Sequence, residues 1–316
     1  MNNQLDKKRI TIFLAFAFGF AWIIALIIYL NGGLTHSPEI IPGSGITLAV
    51  ALLAGGYMWA PTLAHIFTRL VTREGWKDTY LRPRRRSWPY WIAAWFLPAI
   101  ATILGGALFF LLFPQYFDPS LKTLNALMAK SGQNIPVDAW TIVAIQTIGG
   151  ILVSPVINGF FTFGEEFGWR AYLQPKLMPL GGRKAILWMG LIWGVWHWPV
   201  IAMGHNYGLD YPGVPWLGML MTLWVMTGIG TFLGWVTVRA GNVWPAIIGH
   251  AAVNGISGLA GLCVQGNPNP ILGPLPVGLI GSAGWVLLTV VIFVKPGALD
   301  AVQVTPPKME EVHPST

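Results

Sequence analysis

Long apolar segments dominate the chain and constrain its fold more than any other feature. The first runs from Ile10 to Leu30 and directly follows a cluster of basic residues. The others lie at 45–68, 88–113, 140–173, 185–203, 214–238, 243–263 and 275–294. A helix of about 20 apolar residues crosses the ~30 Å hydrocarbon core of a bilayer. The sequence therefore predicts an all-α fold, a polytopic membrane bundle of about eight transmembrane helices.

Composition supports the same conclusion. Hydrophobic residues make up 54% of the 316 residues and charged residues only 10%, which is too little polar surface for a soluble domain of this length. The first apolar segment is longer than the apolar region of a secretory signal and lacks a small-residue cleavage site, so we interpret it as a retained helix.

The basic residues lie almost entirely on one side of this arrangement. If the N-terminus is cytosolic, only Lys122 and Lys130 fall in outer loops. The residues that fall inside are Lys7, Lys8, Arg9, Arg69, Arg73, Lys77, Arg82, Arg84, Arg85, Arg86, Lys176, Arg183, Lys184, Arg239, Lys295 and Lys308. This asymmetry follows the positive-inside rule, so we expect both termini in the cytosol and the chain in the cell inner membrane. The net charge of +7 then requires no nucleic-acid partner.

The chain divides by composition into a few parts. The fourth apolar segment is too long for one perpendicular span, and Pro155 and Gly159 offer places to kink it. The predicted parts are a cytosolic basic N-terminus at 1–9, transmembrane helices 1–3 with their loops at 10–136, a catalytic core of helices 4–8 at 137–295 and a disordered cytosolic tail at 296–316.

A few polar residues interrupt the apolar segments. An ionisable group within a bilayer costs about 2.5–3.5 kcal/mol on insertion scales, so each is a functional candidate. They are His65, Glu165, Glu166, Arg170, His197 and His250, together with the amide Asn254. For His65 we favour a structural interhelical hydrogen bond, and the single cysteine, Cys263, is interpreted as a small core residue.

Three of these groups are expected at a similar depth. Glu165 lies 11 positions before Lys176, and His250 lies 11 positions after Arg239. His197 lies 13 positions after Lys184, which directly precedes its apolar segment. At 1.5 Å per residue these separations are about 16, 16 and 20 Å, so three helices place a polar group at about the same level.

The sequence EEFGWR suggests different roles for its two carboxylates. Adjacent helical residues point about 100° apart, so Glu165 and Glu166 are not expected to face one pocket. Glu166 and Arg170 are four residues apart with the acid first, which is the orientation of an intrahelical ion pair. Glu165 is left without a partner and is the candidate general base.

The histidines have complementary surroundings. His250 and Asn254 are four residues apart on one helix face and could donate two hydrogen bonds to one oxygen, as in an oxyanion hole. His197 follows Trp193 by one turn, in a bulky setting that could fix the imidazole. The residues alone leave three alternatives open, namely catalysis, a polar packing network, and a path for protons or ions.

These clusters together resemble the CPBP family of intramembrane proteases, also called type II CAAX endopeptidases or the Abi group. The family pattern is EExxxR, then an aromatic residue one turn before a histidine, then HxxxN. The chain matches it with Glu165, Glu166 and Arg170, with Trp193 and His197, and with His250 and Asn254. Trp193 stands where phenylalanine is common.

The resemblance implies an endopeptidase that cleaves membrane-associated peptides or proteins. Glu165 and His197 would activate a water, and His250 and Asn254 would stabilise the oxyanion. No cofactor is expected, although Glu165, His197 and His250 could instead form a zinc site with water as the fourth ligand. The chain contains no HExxH motif.

Two other functions remain open from the sequence. The same buried polar cluster could serve a carrier or ion-coupled transporter, which would lose flux rather than cleavage when Glu165 is changed. The association of the family with bacteriocin immunity and phage abortive infection also suggests a protective or scaffolding protein. The sequence does not identify the substrate.

Overall fold

The chain folds as a bundle of helices. The structure, a computed structural model, describes residues 4–84, 87–130 and 137–300. Over those ranges no β-strand forms. The helices are α1 (Lys7–Leu30), α2 (Leu48–Leu52), α3 (Ala60–Val71), α4 (Trp88–Leu112), α5 (Lys122–Lys130), α6 (Ala139–Leu152), α7 (Ser154–Ile157), α8 (Gly159–Gly168), α9 (Gln174–Leu177), α10 (Gly182–Trp196), α11 (Trp198–Ala202), α12 (Trp216–Ala240), α13 (Trp244–Ile256) and α14 (Ala283–Val294). Two π-helical turns, Leu53–Tyr57 and Trp169–Leu173, directly follow α2 and α8.

Several of these helices can cross a membrane. Among the described residues, five helical stretches are long and apolar enough, namely Lys7–Leu30, Leu48–Val71, Trp88–Leu112, Trp216–Ala240 and Trp244–Cys263. Two shorter apolar helices are α6 and α14. Large apolar side chains on their outer faces are exposed, for example Leu30 at 71% and Leu111 at 78%. Lipid, unlike water, accommodates such a surface. The prediction of an all-α integral membrane protein is confirmed.

The fourth and eighth apolar segments differ from simple spans. The segment at 140–173 is broken into α6, α7 and α8, because the chain leaves helical hydrogen bonding around Val153 and Pro155 lacks an amide proton. This break lies where Pro155 and Gly159 predicted a kink. The segment at 275–294 is helical only from Ala283 onward, because prolines and glycines shape the preceding residues into turns.

Helix packing brings the motif-bearing helices together. Helix α12 packs against α10, α13 and α14, and α13 packs against α4, α7 and α8. Helix α8 also packs against α3, which in turn packs on α1. Helices α10 and α13, which carry two of the polar motifs, are therefore both held against α12. Helix α8, which carries the third, is held against α13 and α3.

The first residues of the predicted tail pack against the helices. Ala298 and Leu299 are each 4% exposed and pack into the core, and Arg239 donates a hydrogen bond to the carbonyl of Gly297 over 3.2 Å. Residues 296–300 therefore lie against the helices, because the apolar side chains of Ala298 and Leu299 pack beside the end of α14. The remainder of that segment, with Lys308, lies outside the described residues, as do Arg85 and Arg86.

Candidate active site

The candidate residues lie at helix ends and helix junctions. Glu165 and Glu166 occupy the last turn of α8, and Arg170 lies in the π-helical turn that follows. His197 is the junction residue between α10 and α11, where Pro199 starts the shorter helix. His250 lies in α13, whose first turn contains a proline. These junctions place polar side chains from three helices side by side.

The predicted ion pair is present and has a third member. Arg170 Nη1 donates to Glu166 Oε1 over 3.0 Å, and both side chains are fully buried. His250 Nδ1 lies 2.8 Å from the same oxygen. Glu166 therefore bridges α13 to the turn after α8, a connection that the i, i+4 spacing alone does not predict.

Glu165 has a different environment. Its side chain is buried, and Oε2 accepts a hydrogen bond from the indole Nε1 of Trp193 over 2.8 Å. Within the described part of the chain it forms no ion pair, which agrees with the expectation for a free carboxylate. A phenyl ring in place of Trp193 would have no N–H group to donate.

Trp193 connects the whole cluster. The guanidinium carbon of Arg170 lies 4.4 Å from the centre of its ring. The ring centroids of His250 and His197 lie 5.3 and 5.5 Å from that of Trp193, both in edge-on geometry. The two carboxylates thus point to different partners, as helix geometry requires, yet those partners are in contact.

Hydrogen-bond partners distinguish the two histidines. His197 Nδ1 lies 2.7 Å from the carbonyl oxygen of Trp193, which can only accept, so Nδ1 carries the proton. Its other nitrogen, Nε2, is then a lone-pair acceptor when the ring is neutral. His250 Nδ1 faces the same Glu166 oxygen that accepts the hydrogen bond from Arg170, so this nitrogen too is a donor.

The remaining two candidates have different surroundings. Asn254 is exposed, one turn beyond His250 on α13. His65 is buried on α3 and contacts the other side of α8, where Nδ1 lies 2.8 Å from the carbonyl of Phe167. This is the interhelical hydrogen bond predicted for His65.

The three residues of the alternative zinc site are not arranged to hold a metal ion in this structure. No group of three or more His, Cys, Asp or Glu side chains arranged to hold a metal ion occurs in the described ranges, and Glu165, His197 and His250 all lie within them. We therefore derive no chemical step through a metal ion.

Fold and site together define an integral membrane protein with a buried cluster of carboxylates and histidines contributed by three helices. Residues 143–256, from α6 to the end of α13, match the family model described as type II CAAX prenyl endopeptidase Rce1-like. This part of the chain is similar to that family, and the match supports the predicted resemblance to the CPBP intramembrane proteases. The match covers less than half of the chain but includes every motif residue from Glu165 to Asn254. Comparison with curated proteins gives no match.

Proposed function

We propose that this chain is an intramembrane endopeptidase that hydrolyses peptide bonds of membrane-associated substrates by a glutamate-activated water. One observation supports this most directly. Glu165 is buried, forms no ion pair with any described residue, and is hydrogen-bonded to Trp193, whose ring contacts both histidines. A purely structural carboxylate in a membrane would be expected to pair with a cation, as Glu166 does.

The first step uses Glu165 and His197. Trp193 occupies Oε2 of Glu165, so Oε1 remains to accept a proton from water. His197 has its Nδ1 proton fixed on a backbone carbonyl, so its Nε2 can accept a second hydrogen bond from the same water. The two acceptors orient the water, and its oxygen attacks the carbonyl carbon of the scissile peptide as its proton moves to Glu165.

Stabilisation of the oxyanion is assigned to His250 and Asn254. His250 can donate from Nε2 only if both ring nitrogens are protonated, because Glu166 holds the proton on Nδ1. With Nδ1 held by Glu166, the opposite nitrogen Nε2 is the one that would donate to the oxyanion. The exposed amide of Asn254 supplies a second donor one turn away.

Collapse of the tetrahedral intermediate completes the reaction. The oxyanion re-forms a carbonyl, the carbon–nitrogen bond breaks, and Glu165 returns its proton to the departing amine. Glu165 thus acts first as base and then as acid. The products are a new carboxylate and a new amine, and no redox partner is required.

The membrane arrangement belongs to the proposal as well. We assign eight spans with both termini cytosolic, in the cell inner membrane, because the basic residues then follow the positive-inside rule. The partners are membrane-associated peptides or proteins, and prenylated substrates enter as one test set because the family description names them.

The test is cleavage of a membrane-tethered peptide library, with and without prenylated members, by the purified protein. Wild type should give discrete products, and Glu165→Gln should give none while remaining folded. Products that persist in the presence of a chelator support a metal-free reaction. If the chelator abolishes cleavage and added zinc restores it, the zinc alternative is supported. If the folded wild type cuts nothing, the enzyme proposal fails, and flux and immunity assays test the transporter and protective functions.

A further inference from the structure

A second buried polar pair lies on the side of α8 that faces away from the catalytic cluster. His65 and Arg69 of α3 are 0% and 3% exposed. Both lie outside the segment that matches the family model, and neither takes part in the hydrolysis described above. Burying an imidazole beside a guanidinium is costly unless every donor and acceptor is used.

Helix α8 is in direct backbone contact with α3 and with the residues just before α3, on both sides of the two glutamates. A Cβ atom added at Gly164 would lie 2.7 Å from the carbonyl oxygen of Met58. One added at Gly168 would overlap the carbonyl of Pro61. Glycine at both positions therefore lets the helices approach closely enough for short polar side chains of α3 to reach the backbone of α8.

Two α3 side chains use this proximity to bind carbonyl groups of α8. Thr62 Oγ1 donates to the carbonyl of Phe163 over 3.3 Å. His65 Nδ1 lies 2.8 Å from the carbonyl of Phe167. These two carbonyls are one turn apart, and the residues between them are Gly164, Glu165 and Glu166.

Arg69 determines which nitrogen of His65 carries the proton. Arg69 Nε always carries hydrogen and lies 2.6 Å from His65 Nε2, so Nε2 must accept. The single proton of the neutral ring is then on Nδ1, where it is donated to Phe167. The two terminal nitrogens of Arg69 donate to the carbonyls of Gly75 and Asp78, so the guanidinium is itself held in place.

The far end of the π-helical turn is held by the same region of the chain. Glu74 accepts a hydrogen bond from the Tyr172 hydroxyl over 2.9 Å and from Lys176 Nζ over 2.7 Å. The ring centroid of His65 lies 4.5 Å from that of Tyr172. Contacts from α3 and the loop after it therefore bracket the turn that carries Arg170.

We propose that His65 is a positioning residue for the hydrolytic site, acting through the Phe167 carbonyl to hold the π-helical turn in register. The inference rests on the proposed function. π-Helical turns are rare and often occur at functional sites. Loosening of this turn would move Arg170 away from Glu166, and Glu166 in turn holds His250.

The test compares substitutions that differ in hydrogen-bonding capacity. His65→Leu removes the donor, whereas His65→Asn keeps a side-chain N–H close to the position of Nδ1. Thr68→Val is the matched control, because Thr68 is equally buried on α3 and its hydroxyl bonds only within its own helix. Each variant is measured for kcat and KM on a cleaved peptide, and for amide hydrogen exchange over residues 166–173.

For His65→Leu we expect kcat to fall about tenfold or more with KM nearly unchanged, because the catalytic groups are displaced and substrate binding is not. Exchange over 166–173 should rise about tenfold. His65→Asn should recover most of both values, and Thr68→Val should match wild type.

The contrary outcomes are separable. If His65→Leu lowers only the yield of folded protein, while kcat and exchange stay at wild-type values, His65 is merely structural and the inference is refuted. Faster exchange with unchanged kcat also refutes it. If wild type cleaves no peptide, the proposed function fails. The exchange measurement then decides by itself whether His65 holds the turn.

Discussion

Removing Arg170 should destabilise the protein far more than removing both partners of its ion pair. Arg170→Met keeps an unbranched side chain against Trp193 but leaves Glu166 in the interior without its guanidinium. Breaking a buried pair by deleting one partner costs about 3–5 kcal/mol. His250 still contacts the same carboxylate oxygen, so we expect the lower end of this range, about 3 kcal/mol.

The structure also predicts that the second substitution restores stability. Among the residues that the structure describes, Glu166 Oε2 and two nitrogens of Arg170 find no hydrogen-bond partner, so the pair is incompletely satisfied. A neutral pair of similar volume, Glu166→Gln with Arg170→Met, should therefore be more stable than Arg170→Met alone by at least about 1 kcal/mol.

The assay is reversible unfolding in mixed micelles, followed by circular dichroism for wild type, both single variants and the double variant. Arg183→Met is the control, because Arg183 is exposed and should change the free energy of unfolding by less than about 0.5 kcal/mol. A double variant as unstable as the sum of the two single variants would refute the reasoning, because the two charges would then be energetically independent.

Three further predictions concern the site and its surroundings. Trp193→Phe keeps the ring but removes the donor to Glu165, so kcat should fall by about tenfold, as expected for loss of a charge-assisted hydrogen bond of about 1.5 kcal/mol, and a wild-type kcat would contradict this. Burial raises the pKa of Glu74, but hydrogen bonds from Lys176 and Tyr172 outweigh burial and hold that pKa below its ordinary value. Its stabilising contribution is therefore present above about pH 4.3 and lost as the pH falls through the lowered pKa, so Glu74→Gln should flatten the acid side of a plot of Tm against pH. In a Cys263→Ala background, a maleimide should label Asn254→Cys rapidly and Ala252→Cys slowly, because only the former position is exposed; equal rates would contradict the assigned exposure.

Local periodicity made part of this site predictable from the sequence. The Glu166–Arg170 pair follows from i, i+4 geometry within one helical run, and the break near Pro155 follows from a missing amide proton. The shared depth of Glu165, His197 and His250 followed from counting residues from basic flanks, and the structure brings all three into one cluster around Trp193.

Contacts between side chains on different helices could not be predicted from local spacing. The bond from His250 to Glu166 depends on how α13 is rotated against α8, which no local pattern specifies. Trp193 carried a usable signal, because an indole in place of phenylalanine adds an N–H donor. The approach of α3 to α8 depends on Gly164 and Gly168, whose spacing is common in membrane helices and does not identify the partner helix.

The role of Glu165 as the base that activates water is the central claim, and single-turnover cleavage in heavy-oxygen water tests it most directly. Wild type and Glu165→Gln are compared at equal amounts of folded protein, and the new carboxyl terminus of the product is analysed by mass spectrometry. We predict that wild-type product carries the heavy oxygen and that Glu165→Gln forms no product above background. Cleavage by folded Glu165→Gln at the wild-type rate, or a wild-type product without heavy oxygen, would contradict the account.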